Sequence, residues 1–157
     1  AAKTRANALG KRGGRAPQPG LVFVVTPGDW YVVAVPGFER PDPDTKLLRA
    51  PYFNVWADGR ICTGNVKLPD TLSPAALAEY ERAFFGSEFT HPNVHGRERL
   101  VDWHAGPYDF WRLMLDSMGV AAFPQGALIA TNRTLGKLLA RIEELEKRVR
   151  MYEVVKS

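Results

Sequence analysis

Residues 21–35 read "LVFVVTPGDWYVVAV". Two runs of β-branched and aromatic residues, 21–25 and 30–35, flank the turn formers "TPGD". That pattern predicts an antiparallel hairpin. Both runs are nearly continuously apolar, so each strand is expected to have cover on one face and partial cover on the other. Next comes "PGFERPDPDTKLLRA" (36–50), in which Pro36, Pro41 and Pro43 resist both helix and ladder and predict a loop. "YFNVW" (52–56) predicts a further short strand that delivers the chain to a turn at Asp58-Gly59.

Helices follow the strands. "SPAALAEYERAFFG" (73–86) has Ser73 as a cap, Pro74 in the first turn and Gly86 as a stop. Leu77, Tyr80 and Phe84 fall on one face. A polar loop with two histidines leads to a second, aromatic-rich helix, "PYDFWRLMLDSMG" (107–119), ending at Gly119. "FPQGALIATNRT" (123–134) reads as irregular. Residues 134–155 predict a long amphipathic helix whose Leu138, Ile142, Leu145, Val149 and Tyr152 form a heptad seam, with Arg141 and Arg148 just beside it. Its mixed charges suit packing on the domain or a partner rather than a membrane. Strands first and helices after describe an α+β plan, an antiparallel sheet with helices on one face or end.

The 157 residues suit one domain with a sizeable core. No apolar run has the length of a membrane span, and no signal-peptide pattern opens the chain, which starts at Ala1 as a fragment or a processed chain would. Five of the 21 basic residues and none of the 17 acids lie in residues 1–20: Lys3, Arg5, Lys11, Arg12 and Arg15. The excess positive charge therefore belongs to a tail. Contact with nucleic acid is expected only through that tail, and a flexible linker is the favoured reading of it. The organisation read from these features is a basic flexible tail (1–19), a domain (20–130) and a C-terminal amphipathic helix (131–157).

Cys62 is the only cysteine, which fits a reducing compartment and points to the cytoplasm. It sits in "NVWADGRICTGN" (54–65), between Asp58-Gly59 and Gly64-Asn65. One reading is a buried structural cysteine. The other is a nucleophile that forms a thioester or acyl-enzyme, which must be reachable. A thiol with an ordinary pKa is only about 3% thiolate at pH 7, so such a group needs access and polar help. The flanking turns argue for access. Asn54 could donate to an oxyanion, or could simply bond its own backbone.

The segment "NVWADGRIC" (54–62) resembles the active-site stretch of ubiquitin-conjugating (E2) enzymes. That family places an Asn eight residues before the catalytic Cys, a Gly three before and a small aliphatic residue one before; Asn54, Gly59, Ile61 and Cys62 fill these positions. "LSPAALAEYERAFFGSEFTHPN" (72–93) is similar to the helix and Pro-Asn turn that follow the E2 cysteine, and the resemblance spans roughly residues 21–95. Among E2-like proteins the chain looks most like the bacterial branch of PRTRC-type gene systems, the protein B family. The resemblance implies an E2/UBC-like antiparallel β-meander packed against helices. It implies Cys62 and Asn54 as catalytic residues, no metal and no cofactor. The implied partners are an E1/ThiF-like activating enzyme, a ubiquitin-like protein and a JAB-type peptidase of the same system.

The chain departs from the family in three places. The E2 His-Pro-Asn tripeptide is Tyr52-Phe53-Asn54 here, so only the Asn carries over. The N-terminal helix and first strand of E2s have no counterpart unless the basic tail supplies them. The acid that receives the acceptor lysine's proton has no direct match; Glu88, Asn93 and His95 occupy its region as substrate-binding candidates. His91 and His95 sit in a loop without further ligands, which argues against zinc. Trp56, Trp103 and Trp111 read as core or groove packing. Two rival functions stand beside an E2-like carrier: an inactive E2-variant module that binds a ubiquitin-like partner, and a cysteine hydrolase pairing Cys62 with a histidine.

Overall fold

The computed structural model describes residues 12–64, 66–88, 92–94 and 98–156. Four strands form one antiparallel sheet in the order β1-β2-β3-β4: β1 Gly20–Val25, β2 Trp30–Val35, β3 Lys46–Leu48 and β4 Ala130–Thr134. Three α-helices accompany it among the described residues: α1 Leu77–Phe85, α2 Gly106–Asp116 and α3 Leu135–Lys156. The architecture is α+β, as expected from the order of strands and helices. The predicted hairpin forms in register from Gly20↔Val35 to Val25↔Trp30, closed by Thr26, whose side chain accepts the Asp29 N–H.

Every residue of β2 is buried. The side-chain period of two sends Trp30 and Val32 to one face and Tyr31, Val33 and Val35 to the other. On the first face they meet Tyr80 and Phe84 of α1, and Ala34 meets Phe110 and Met114 of α2. On the second they meet Leu135, Leu138 and Ile142 of α3. The helices therefore cover both faces of the sheet, not one face or end. The continuous apolar run of β2 is the sequence trace of this double cover.

Several local expectations change. Two short strands arise where loops were expected. β3 forms inside the proline-rich segment, beyond its last proline, and β4 forms inside "FPQGALIATNRT". Residues 52–56 are not a strand. They make a turn at Phe53-Asn54 and a single bridge, Val55↔Ile61, because Tyr52, Phe53 and Val55 are all buried and the chain must bend to place them. In α1, Leu77 is half-exposed, and the buried face runs through Ala76, Tyr80 and Phe84. The first turn, Pro74–Ala76, is 3₁₀, and Ser73 caps through its carbonyl, which accepts the Ala76 N–H at 3.0 Å, without a side-chain bond. Trp56 is partly exposed, while Trp111 stacks on Tyr52 at 5.3 Å and donates to the Pro51 carbonyl at 2.6 Å.

Residues 12–19 lie against the body. Arg12 pairs with Asp116 at 2.7 Å, Ala16 joins the α2-side core, and Gln18 Oε1 accepts the Tyr52 hydroxyl at 2.5 Å. Burial pushes the Tyr52 phenol pKa well up, so it stays a neutral donor. Lys3, Arg5 and Lys11 lie outside the described residues, and Val149 and Tyr152 of the seam lie outside the described side chains.

The sheet thus covers Leu138 and Ile142 of the α3 seam, together with Leu135 before it. Leu138→Ala is expected to lower the free energy of unfolding by about 2–5 kcal/mol in urea titrations. The mass in light scattering should stay that of the wild type. A loss of less than about 1 kcal/mol would show that the sheet does not depend on this cover.

Candidate active site

The Cys62 segment is attached to the N-terminal half of β2, on the edge that β1 leaves open. Gly59 O accepts the Val32 N–H at 2.9 Å, and the Ile61 N–H donates to Trp30 O at 2.8 Å. Tyr31↔Arg60 and Val55↔Ile61 complete a small hairpin over residues 55–61. Gly59 has φ +91°, and a Cβ there would lie 3.3 Å from Val32 O and 3.2 Å from a Val33 methyl. Only glycine meets both the left-handed turn and the close approach. Asp58 braces the turn through the Arg60 N–H at 3.0 Å and Arg60 Nε at 2.9 Å. Ile61 is buried among Trp30, Val55 and Tyr80. Strand alternation then turns the next residue outward, and Cys62 is exposed.

Cys62 is tied back to Asn54: its N–H donates to Asn54 O at 2.7 Å. The Asn54 side chain runs to the end of α1, where Nδ2 donates to Ser87 Oγ at 3.2 Å, and Ser87 Oγ donates to Phe84 O at 2.7 Å. Asn54 Oδ1 is buried and makes no hydrogen bond among the described residues.

These groups line one cleft of about 680 Å³, with Cys62, Asn54, Ser87, Glu88, Asn93 and Lys67 around it. Asn93 is held by its N–H, which donates to Phe53 O at 2.9 Å. Four of the five candidates from the sequence, Cys62, Asn54, Glu88 and Asn93, therefore share one cavity. His95 lies outside the described residues, as does His91. His104, the remaining histidine, sits beside Trp103 at 5.3 Å and is not among the residues lining the cleft. Ser87 and Lys67 were missed from the sequence. Ser87 directly follows the helix-ending Gly86, where a hydroxyl that bonds the last carbonyls is an ordinary cap, so nothing in the sequence marks it as a partner of Asn54.

The cleft continues into a second hollow of about 350 Å³ that shares Gly86, Ser87 and Glu88 with it and is walled by Tyr52, Phe85 and Trp111. Together they form a groove that begins polar at the thiol and ends aromatic. Among the described residues, no group of three or more His, Cys, Asp or Glu side chains could hold a metal ion. None of the described helices is long and apolar enough to cross a membrane.

An α+β domain with an exposed cysteine on a β2-bound hairpin, and an Asn and an acid beside it, is of the E2-like class. The model of prokaryotic E2 family D matches residues 3–131, and the chain belongs to that family. The match supports the bacterial E2-like resemblance and does not extend to PRTRC protein B. No curated protein and no solved structure matches the chain.

The exposure of Cys62 has a direct test. One thiol per chain should react with Ellman's reagent in the native protein, without a lag and without denaturant. Gly59→Ala should lower stability by about 1–3 kcal/mol, because the added Cβ meets both a left-handed φ and β2 backbone. A thiol that reacts only after unfolding would place Cys62 in the core instead.

Proposed function

We propose that the protein is an E2-like carrier that accepts the C-terminus of a ubiquitin-like protein as a thioester on Cys62. The observation that carries this reading is the shared cleft. Cys62, exposed and backbone-tied to Asn54, lines the same cleft as Asn54 and Glu88. Family membership supports a conjugating-enzyme type.

In the first step the Cys62 thiolate attacks the thioester carbonyl presented by an E1/ThiF-like enzyme. The carbon–sulfur bond to the E1 cysteine breaks, and that thiol leaves with the proton Cys62 gave up. In the second step an acceptor amine attacks the Cys62 thioester. Its proton passes to Glu88, and Cys62 leaves as thiolate. Asn54 Nδ2 keeps a second N–H beyond its bond to Ser87 and is the donor suited to the oxyanion of either step. The aromatic end of the groove suits the extended tail of the ubiquitin-like protein. The finer assignment follows the resemblance to PRTRC-type systems, in which a JAB-type peptidase is a further partner.

With the E1-like enzyme, the ubiquitin-like protein and ATP, a reducible adduct on the wild type is expected. Cys62→Ser should give a slower, thiol-resistant ester, and Cys62→Ala no adduct at all. An adduct that survives Cys62→Ala would remove the carrier reading. Binding of the ubiquitin-like protein without any adduct would make the chain a recognition module instead.

Asn54→Ala is expected to slow discharge of the charged protein by about 10²–10³-fold with the fold intact. Discharge at the wild-type rate would show that the Asn54 amide does not serve the oxyanion.

A further inference from the structure

A second cleft, of about 500 Å³, opens on the α3 side of the sheet, between α3, the start of β2 and the outer side of the 55–61 hairpin. Four arginines from three segments line it: Arg60 of the hairpin, Arg133 of β4, and Arg141 and Arg148 of α3. Two aspartates, Asp29 and Asp58, oppose them. Arg60 is paired with Asp58 at 2.9 Å, and Glu144 is shared by Arg148 at 3.1 Å and Arg141 at 3.6 Å. Arg133 is half-buried and has no ion pair among the described residues. β4 reaches it through an irregular register against β3, with Asn132 at φ +59°. Such bulges re-aim side chains. The floor of the cleft is apolar, made by Tyr31, Leu138, Ile142 and Leu145.

We propose that this cleft is a docking site for an acidic protein segment that carries an interleaved aliphatic side chain. Guanidinium groups pair best with carboxylates in the bidentate mode, and among the described residues no carboxylate takes that place at Arg133. A partly desolvated cation without a counter-charge is costly, and a partner's carboxylate would offset that cost. The aliphatic side chain would cover the floor, which a bare anion leaves wet. Nucleic acid fits less well. Tyr31 is 5% exposed and offers no open ring for base stacking, and Asp29 and Asp58 would face a dense row of phosphates. The site lies away from the Cys62 cleft and shares no lining residue with it, so the proposal stands apart from the thioester reading.

The test uses the full chain and a short fluorescent peptide of alternating Glu and Leu, read by anisotropy. Binding that weakens with salt is expected. Arg133→Gln and Arg141→Glu should each weaken it about tenfold or more. Arg141 is over half exposed, so its replacement keeps the fold even if that of Arg133 does not. Arg112→Glu, on α2, should leave binding unchanged, and a peptide of alternating Lys and Leu should not bind. An all-Glu peptide should bind more weakly than the mixed one. Absence of binding would overturn the proposal, as would binding indifferent to both cleft variants. Inorganic pyrophosphate displacing the peptide at equal concentration would reduce the cleft to a plain anion site and overturn it too. A doubled mass in light scattering that Arg141→Glu abolishes would assign the cleft to a second copy of the chain and equally exclude the proposal.

Discussion

β2 is the one strand that all the rest of the molecule leans on. Its six residues are all buried, and they alternate between the cores on the two faces of the sheet. A slip of one residue would send Trp30 toward α3 and Tyr31 toward α1, so neither core tolerates another register. β1 takes one edge along its whole length. The other edge is divided. Leu48 of β3 pairs with Ala34 near the end of β2, and the 55–61 hairpin takes the beginning through Trp30 and Val32. The Cys62 segment is therefore part of the sheet's edge and inherits the rigidity of the core beneath it.

That attachment gives a structural cause for each matched position of the E2-like spacing. Gly59 is required where the turn crosses β2 backbone. Ile61 anchors the segment in the core, and by alternation it puts Cys62 outside. Asn54 receives the Cys62 N–H through its backbone carbonyl, a service any residue could perform. Its side chain is held by Ser87, and its Oδ1 is buried with no hydrogen bond among the described residues. Three of the four positions thus build the platform that presents Cys62 to the cleft.

The same hairpin has two exposed sides. Cys62 faces the cleft bounded by the end of α1, and Arg60 faces the arginine-lined cleft under α3. The two surfaces are joined by Ile61 alone in the chain, and both rest on the first half of β2. The C-terminal helix, whose buried positions lie beyond the span matched by the family model, supplies half of the residues that line the arginine cleft. Leu138 and Leu145 lie on the floor of that cleft, and Arg141 and Arg148, each three residues further on, take neighbouring positions on the helix.

The sequence by itself determined the elements whose signal is local. The 21–35 hairpin was legible because β-branched runs and a turn are read residue by residue. The three helices were legible from their periodicity and stops, and the Asn54–Cys62 spacing from the residues themselves. β3 and β4 were not legible. A strand of three residues, or one that bulges at Asn132, has little preference of its own and exists because a neighbour offers hydrogen bonds. The same holds for 52–56, where β-forming residues turn instead because three of their side chains must enter the core. Which face of α1 is buried, the placement of helices on both sides of the sheet, the contact of Ser87 with Asn54 and the gathering of four arginines from three segments were decided only by tertiary packing. Each depends on residues brought together across long stretches of chain, and no local pattern encodes such a meeting.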